Sequence, residues 1–223
     1  MNERVWGILV DSFPTMLLYG VRITIPLTIL SFLLALVIAI GVALVQYARV
    51  PVVQQICRFY IWIIRGTPLL VQLYIVFYGL GDFIPMPAFL VAVLVFGFNE
   101  GAYMAETIRG TLEGVNVGQM EAGYCVGMTY GQTMWHVVMP QALRTAFPAL
   151  SNSLISMLKG TSMAATITVT EMFRSAQQIN GRVYESLALY SEVALIYLLF
   201  CTVLTWVQHR GEKRLASYGG VRA

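Results

Sequence analysis

The chain has 223 residues, 58% of them hydrophobic and only 11% charged, with mean hydropathy +0.72. A water-soluble domain carries about 25% charge, so there are too few polar side chains here to cover a water-facing globule, and the class is an all-α polytopic membrane protein. Net charge is +3, with Lys and Arg scattered and not clustered with aromatics, which gives nucleic-acid binding no support.

The first twenty residues carry Glu3, Arg4 and Asp11, and Pro14 interrupts their apolar run. A cleavable leader needs a basic start, an apolar core and a small-residue cleavage site; targeting is therefore expected to fall to the first spanning helix. Five segments are expected to cross a bilayer, each needing about 20 apolar residues. The first, 23–48, is free of charge. The second, about 51–80, is interrupted by Arg65-Gly66-Thr67-Pro68, where Pro removes a helix hydrogen bond and should kink it. The third runs from about 88 to 108. The fourth, about 142–169, is interrupted by Lys159-Gly160-Thr161-Ser162, and the fifth covers 189–208. No repeat or linker divides the chain, so one membrane domain is expected over 1–223, with its core at about 15–210.

Charge bias orients the spans. Arg49 and Arg58 lie between segments one and two, Arg109 and Arg144 flank the connection between three and four, and the tail has Arg210, Lys213, Arg214 and Arg222. The 79–87 turn has Asp82 and no base, and Glu171 and Glu185 offset Arg174 and Arg182 in the 169–188 loop. This places the N-terminus outside and the C-terminus in the cytosol. Trp6, Tyr19, Tyr60, Trp62, Trp135, Tyr190 and Trp206 suit interface anchors.

The connection from Gly110 to Pro140 is then cytosolic. It reads as two short helices, one around Gln119–Ala122 and one over 130–139, joined at Gly127. Ala122 and Gly123 are small enough to let a partner's backbone approach, and Glu121 offers a charge to a partner's Arg or helix N-terminus. The other reading of this stretch is a solvated loop helix.

Ionisable residues inside a span are functional suspects. Asn99, Tyr103 and Glu106 share one helical face, with Glu100 beside it. They either meet the ammonium group of a cargo or tie helices together. Glu106 alternatively serves the cytosolic loop. Arg65 and Lys159 are candidates to balance these carboxylates, and Thr67, Thr161 and Ser162 to line the path. Cys57, Cys125 and Cys201 lie far apart, and His136 and His209 have no companion at ligand spacing, so no metal site is expected. No Gly-x-x-x-x-Gly-Lys-Ser/Thr loop is present either.

Residues 121–140 read Glu-Ala-Gly-Tyr-Cys-Val-Gly, nine residues, then Val-Val-Met-Pro. The pattern resembles the EAA loop of ABC-importer permeases: Glu-Ala-Ala, three residues, Gly, nine residues, Ile-x-Leu-Pro. Arg65-Gly66-Thr67-Pro68-Leu69-Leu70-Val71-Gln72, Asn99 through Arg109, Gly118-Gln119-Met120-Glu121-Ala122, Pro140-Gln141-Ala142-Leu143-Arg144 and Lys159-Gly160-Thr161-Ser162 extend the likeness to about residues 15–215. Together they are similar to the permeases of polar amino-acid importers (histidine, glutamine, arginine and cystine types), most of all the cystine branch. Gly123 departs from the second Ala of the triplet, Val137 and Met139 from Ile and Leu, and Gly160 from a common Asp. The resemblance implies a bacterial inner-membrane complex. In it two permease subunits, a homodimer as the cystine branch suggests or else a pair with a sister subunit, carry two ATPase subunits that bind ATP and Mg and hydrolyse ATP. A periplasmic or lipid-tethered binding protein delivers the amino acid. Gly118, Glu121, Ala122, Gly123, Gly127 and Pro140 would form the coupling loop. The alternative, a secondary transporter or channel without an ATPase, calls for two matching halves; a membrane enzyme would need a nucleophile–base or metal constellation, and neither feature is seen.

Overall fold

The computed structural model describes residues 3–49 and 51–217, and every regular element among them is helical. In chain order these are α1 (Glu3–Ala48), α2 (Pro51–Gly66), α3 (Leu69–Gly79), α4 (Ala88–Glu113), α5 (Val117–Cys125), α6 (130–160), a 3-10 segment (Thr161–Ile167), α7 (Met172–Val183) and α8 (Ser186–Ser217). Arg222, counted above toward the basic tail, lies outside the described residues.

α1 is longer than the sequence reading, which opens the first segment at residue 23. The helix continues back to Glu3 through Pro14. Tertiary contacts hold it there: Ser12 and Met16 are buried, and the Ser12 hydroxyl donates to the Glu192 carboxylate of α8 at 2.5 Å. Pro26 is accommodated by a local widening. The turn Gly20–Thr24 is a π turn, closed by Ile25 N–H donating to the Gly20 carbonyl five residues back. The same device precedes Pro140, where Met139 N–H donates to the Met134 carbonyl. A wider turn makes room for a ring that lacks an N–H.

α1 and α4 form the central pair. Ala35, Ala39 and Ala43 are fully buried at four-residue spacing. Opposite them, a Cβ on Gly97 would sit 2.6 Å from Leu34 Cδ2, and one on Gly101 3.0 Å from Ile38 Cγ2. The two helices therefore touch through small residues, as helices in lipid do when no hydrophobic drive separates them from the acyl chains.

The break expected at residues 65–68 is present, and it is a corner more than a kink. α2 and α3 meet at 104° across Thr67 and Pro68, with Pro68 extended (ψ 136°). By length and apolarity three described helices can cross a membrane, α1, α4 and α8, or four if the bent α2–α3 pair is one span. α6 falls short because Ser151, Asn152 and Ser153 lie between Arg144 and Lys159. Its α-helical winding ends where the sequence suggested an interruption, at Gly160, though as a change of helix type and not a corner. The short helix at residues 130–139 runs straight into it, and at Gly160 it only tightens to the 3-10 segment. The chain turns at Thr168, which is left-handed (φ 71°). Tyr60, expected as an anchor, donates instead to the Phe98 carbonyl of α4 at 2.5 Å.

Candidate functional site: an elbow and a polar helix face

The elbow between α4 and α6 is encoded residue by residue. The Asn116 side chain caps α5 by accepting from Gly118 N–H at 2.8 Å. α5 ends in a Schellman turn: Met128 N–H reaches the Gly123 carbonyl, Gly127 N–H the Tyr124 carbonyl, and Gly127 takes the left-handed conformation at φ 81°. α6 then opens with a capping box, in which Thr129 Oγ1 accepts from Gln132 N–H and Gln132 Oε1 from Thr129 N–H. The two arms are pinned by Gln141 Nε2 donating to Gln119 Oε1 at 3.1 Å.

The small residues divide in role. Ala122 is exposed, as approach by a partner requires. Gly123 is buried and faces inward: a Cβ there would lie 2.4 Å from Thr133 Cγ2 and 2.5 Å from its Oγ1. Its smallness closes the elbow on itself. Glu121 is exposed and, among the described residues, has no hydrogen bond or ion pair. Val117, Tyr124 and Val126 are exposed around it, and Pro140 is exposed on the second arm. Burial raises the Tyr130 phenol above its ordinary range, helped by the nearby Tyr47 and Tyr124, so the ring at the start of α6 is neutral at physiological pH.

The polar face lies on α4 against the α2–α3 corner. Asn99 is buried and donates to Gln72 Oε1 at 3.0 Å. Gln72 Nε2 in turn donates to the Ile64 carbonyl at 2.9 Å and Thr67 Oγ1 at 2.8 Å, which latches the corner to α4. Tyr103 is exposed with the Arg65 guanidinium over its ring at 5.2 Å. Glu106 takes Arg109 at 3.1 Å, Gln46 Nε2 at 3.2 Å and Arg65 at 3.8 Å. Arg65, Thr67, Asn99, Tyr103 and Glu106 are thus brought together. Glu100 is not, since its side chain meets Ser153 of α6.

Lys159 is exposed and forms no ion pair among the described residues, so it balances neither carboxylate; Arg65 and Arg109 both pair with Glu106, and Glu100 has no ion pair among the described residues. Thr161 and Ser162 spend their hydroxyls on the Leu158 and Lys159 carbonyls. The sequence reading missed Gln46 and Gln72, and the available signal was a lone amide in an apolar run. It also missed Glu171, read as a loop charge offsetting Arg174. Glu171 is fully buried and caps α7, while Arg174 donates to the Ala165 carbonyl.

The hub sets the order of mutational cost. Arg65→Ala removes a long, partly exposed pair and is expected to cost less than about 1 kcal/mol. Glu106→Ala strands Gln46 and Arg65 and leaves Arg109 with Glu113 alone, and should lower the melting point in detergent distinctly more. Equal shifts in the two variants would show that Glu106 is not the hub.

Residues 31–217 match the family model described as binding-protein-dependent transport system inner membrane component. The chain is 44% identical over 215 residues to the L-cystine transport system permease protein TcyB of Bacillus subtilis (strain 168), covering 96% of this chain and 92% of that one. Among solved structures it resembles a crystal structure of an amino acid ABC transporter with histidines at 32% identity and TM-score 0.83, covering 92% of this chain and 96% of that one. The MetNI methionine ABC transporter in an inward-facing conformation shares the fold at 19% identity and TM-score 0.74, covering 96% of this chain and 99% of that chain.

Proposed function

Since the chain belongs to the binding-protein-dependent transport system inner membrane components and is the permease subunit of an amino-acid ABC importer, we propose that its cargo is cystine and that the elbow couples it to an ATPase. The observation that carries the cargo is the 44% identity to an L-cystine permease over nearly the whole chain. The family membership favours this reading over an ATPase-free carrier.

In this reading the chain is one domain with five spans in a bacterial inner membrane: the second half of α1, the α2–α3 pair, α4, α6 and α8. α6 counts as a span because its Ser and Asn residues face protein in a dimer and not lipid. The N-terminus is outside, and the elbow, Arg49, Arg58, Arg109, Arg144 and the end of α8 are cytosolic. Two copies pair. Two ATPase subunits, which hold ATP and Mg, dock on the elbows, and a periplasmic or lipid-tethered binding protein delivers cystine from outside. Val117, Tyr124 and Val126 give the docking surface its apolar area, with Glu121 as its free charge.

The mechanism needs a rigid lever and a hinge. The second arm of the elbow is continuous with α6, and α5 is held against it by the Gln141–Gln119 hydrogen bond and the Gly123–Thr133 contact, so a pull on Glu121 and Ala122 is passed to α6 through that packing. The α2–α3 corner, held to α4 through Gln72 and Asn99, is the element whose rearrangement opens one side and closes the other, a two-state change biased by nucleotide. Arg65, Thr67, Asn99, Glu100, Tyr103 and Glu106 line the path, with Lys159, Thr161 and Ser162 on the opposite wall. Glu121→Ala in the reconstituted complex should insert normally yet lose cystine uptake and binding-protein-stimulated ATP hydrolysis. Wild-type coupling in that variant would remove the docking role of the elbow.

A further inference from the structure

A groove opens between α1 and α8 where both helices begin. Its volume is about 790 Å³, and Leu9, Val10 and Phe13 of α1 face Leu187, Ala188 and Leu195 of α8 across it. Two carboxylates interrupt these apolar walls: Glu185, just before α8, and Glu192, two turns further along. Among the described residues no Lys, Arg or His lines the groove. Glu185 has no ion pair and no side-chain hydrogen bond among them either. Glu192 is only 8% exposed, and its one hydrogen bond, from Ser12, occupies Oε2. Its Oε1 accepts nothing from the described residues and is not enclosed by them, so it is open to the groove. A buried carboxylate without a cation is costly, above all in a membrane. Here the cation has to come from the occupant.

The surroundings say what that occupant is. Beyond Glu192, α8 has no Asp, Glu, Lys or Arg until Arg210. Leu195, Leu198, Leu199, Val203 and Trp206 stand exposed along this stretch. It is about 27 Å long, close to the hydrocarbon thickness of a bilayer. The two carboxylates therefore stand at headgroup level, and the groove opens at Leu195 onto the strip that acyl chains cover. Trp6, exposed beside the groove on α1, suits the same interface. Headgroup chemistry follows from the lining. A glycerol phosphate head brings an anion to two carboxylates. A choline head has no N–H to donate. A primary ammonium donates to a carboxylate in a charge-assisted hydrogen bond, and apolar walls strengthen that bond by keeping water off it.

We propose that this groove binds an amine-headed phospholipid of the outer leaflet, its ammonium held between Glu185 and Glu192 and its upper chains against Val10, Phe13, Leu187 and Leu195. The leaflet rests on the proposed orientation, whereas the lipid class rests on the groove alone. The bound lipid bridges α1 and α8 beside the Ser12–Glu192 hydrogen bond.

The test uses the complete permease–ATPase complex, exchanged into mild detergent until free of lipid. It is titrated with phosphatidylethanolamine, phosphatidylcholine or phosphatidylglycerol of identical chains. Native mass spectrometry reads binding, and the melting point reads stabilisation. Phosphatidylethanolamine should bind about tenfold tighter than the other two or better, since one hydrogen bond to a charged group supplies at least that factor. It should also raise the melting point most, as a ligand of the folded state does. The double variant Glu185→Gln with Glu192→Gln should lose the preference and keep the weaker binding of the other lipids. The wild-type comparison stays decisive if the double variant folds poorly. Leu187→Cys carrying a photoreactive maleimide should capture phosphatidylethanolamine in membrane vesicles, because Leu187 is 85% exposed at the groove. Equal affinity for the three lipids, a preference that survives in the double variant, or capture of a second permease or the binding protein at position 187 would each overturn the site. Labelling of Leu187→Cys by an impermeant reagent from the cytosolic side alone would overturn the orientation and the leaflet, and leave the lipid class standing.

Discussion

Gly123→Ala is expected to cut cystine uptake and stimulated ATP hydrolysis about tenfold or more, and Thr133→Ala in the same chain to recover most of the loss. An Ala in place of Gly inside a helix would by itself stabilise α5 by about 1 kcal/mol. The added methyl, however, meets Thr133 Cγ2 at 2.4 Å and Oγ1 at 2.5 Å. Thr133 has nowhere to go: it is fully buried, and its hydroxyl is tied to the Thr129 carbonyl at 3.1 Å. Overpacking of this kind costs about 1–3 kcal/mol, so the net effect is to push α5 off α6. Every tenfold in a coupling equilibrium is about 1.4 kcal/mol, and Glu121 and Ala122 ride on the displaced helix.

The rescue follows from geometry. Thr133→Ala deletes the two atoms that collide and leaves the Thr129–Gln132 capping box intact. It also explains a departure seen in the sequence. Where the EAA pattern has a second Ala, this chain has Gly, and the space of that methyl is taken by Thr133 Cγ2. Wild-type uptake in Gly123→Ala, or a double variant no better than the single, would show that the contact does not position the elbow.

The elbow was legible because its signals are local. Gly127 and helix formers on either side act within a few residues of themselves, so a local reading located both short helices; the Thr129-x-x-Gln132 box, equally local, was not read. The 65–68 break was legible for the same reason, since a Pro after a Gly is decisive without tertiary help. Its angle was not, because 104° depends on Gln72 reaching back to Ile64 and across to Asn99.

The misreadings all involve long-range compensation. Pro14 and Pro140 look like helix breakers, yet packing on α8 and a π turn absorb them. The break expected at Gly160 is only a change from α to 3-10 winding, while the sharp turn fell on Thr168, a β-branched residue that sequence rules would place elsewhere. Glu171 was read as a loop charge offsetting Arg174, on the charge balance of residues 169–188, and Glu is not among the usual N-caps. Its burial comes from α8, which the local sequence does not contain.

Glu171→Ala is accordingly expected to be the most destabilising single change where α7 meets α8. The Glu171 carboxylate accepts from Phe173 N–H at 2.8 Å, Arg174 N–H at 2.7 Å and the Tyr197 hydroxyl at 3.0 Å. Truncation orphans two first-turn N–H groups of α7, worth about 1–2 kcal/mol as a lost cap. It also leaves a buried hydroxyl unpaired, at about 1–3 kcal/mol. The combined loss of about 2–5 kcal/mol corresponds to a melting-point drop of about 10 °C in a chain of this size.

Tyr197→Phe gives the calibration. It removes one donor and leaves the cap whole, so it should cost only about 1 kcal/mol. Glu171→Gln should fall between the two, because its amide keeps one acceptor oxygen and turns an N–H₂ toward donors. The corner also binds α1, since Met172 N–H donates to Thr24 Oγ1 at 3.3 Å. Loosening it frees the end of the molecule where the proposed orientation has the binding protein deliver cystine. Delivery-dependent uptake should therefore fall in Glu171→Ala even at temperatures where the variant remains folded. A Glu171→Ala melting point within about a degree of that of Tyr197→Phe would mean that the carboxylate is not what holds α7 to α8.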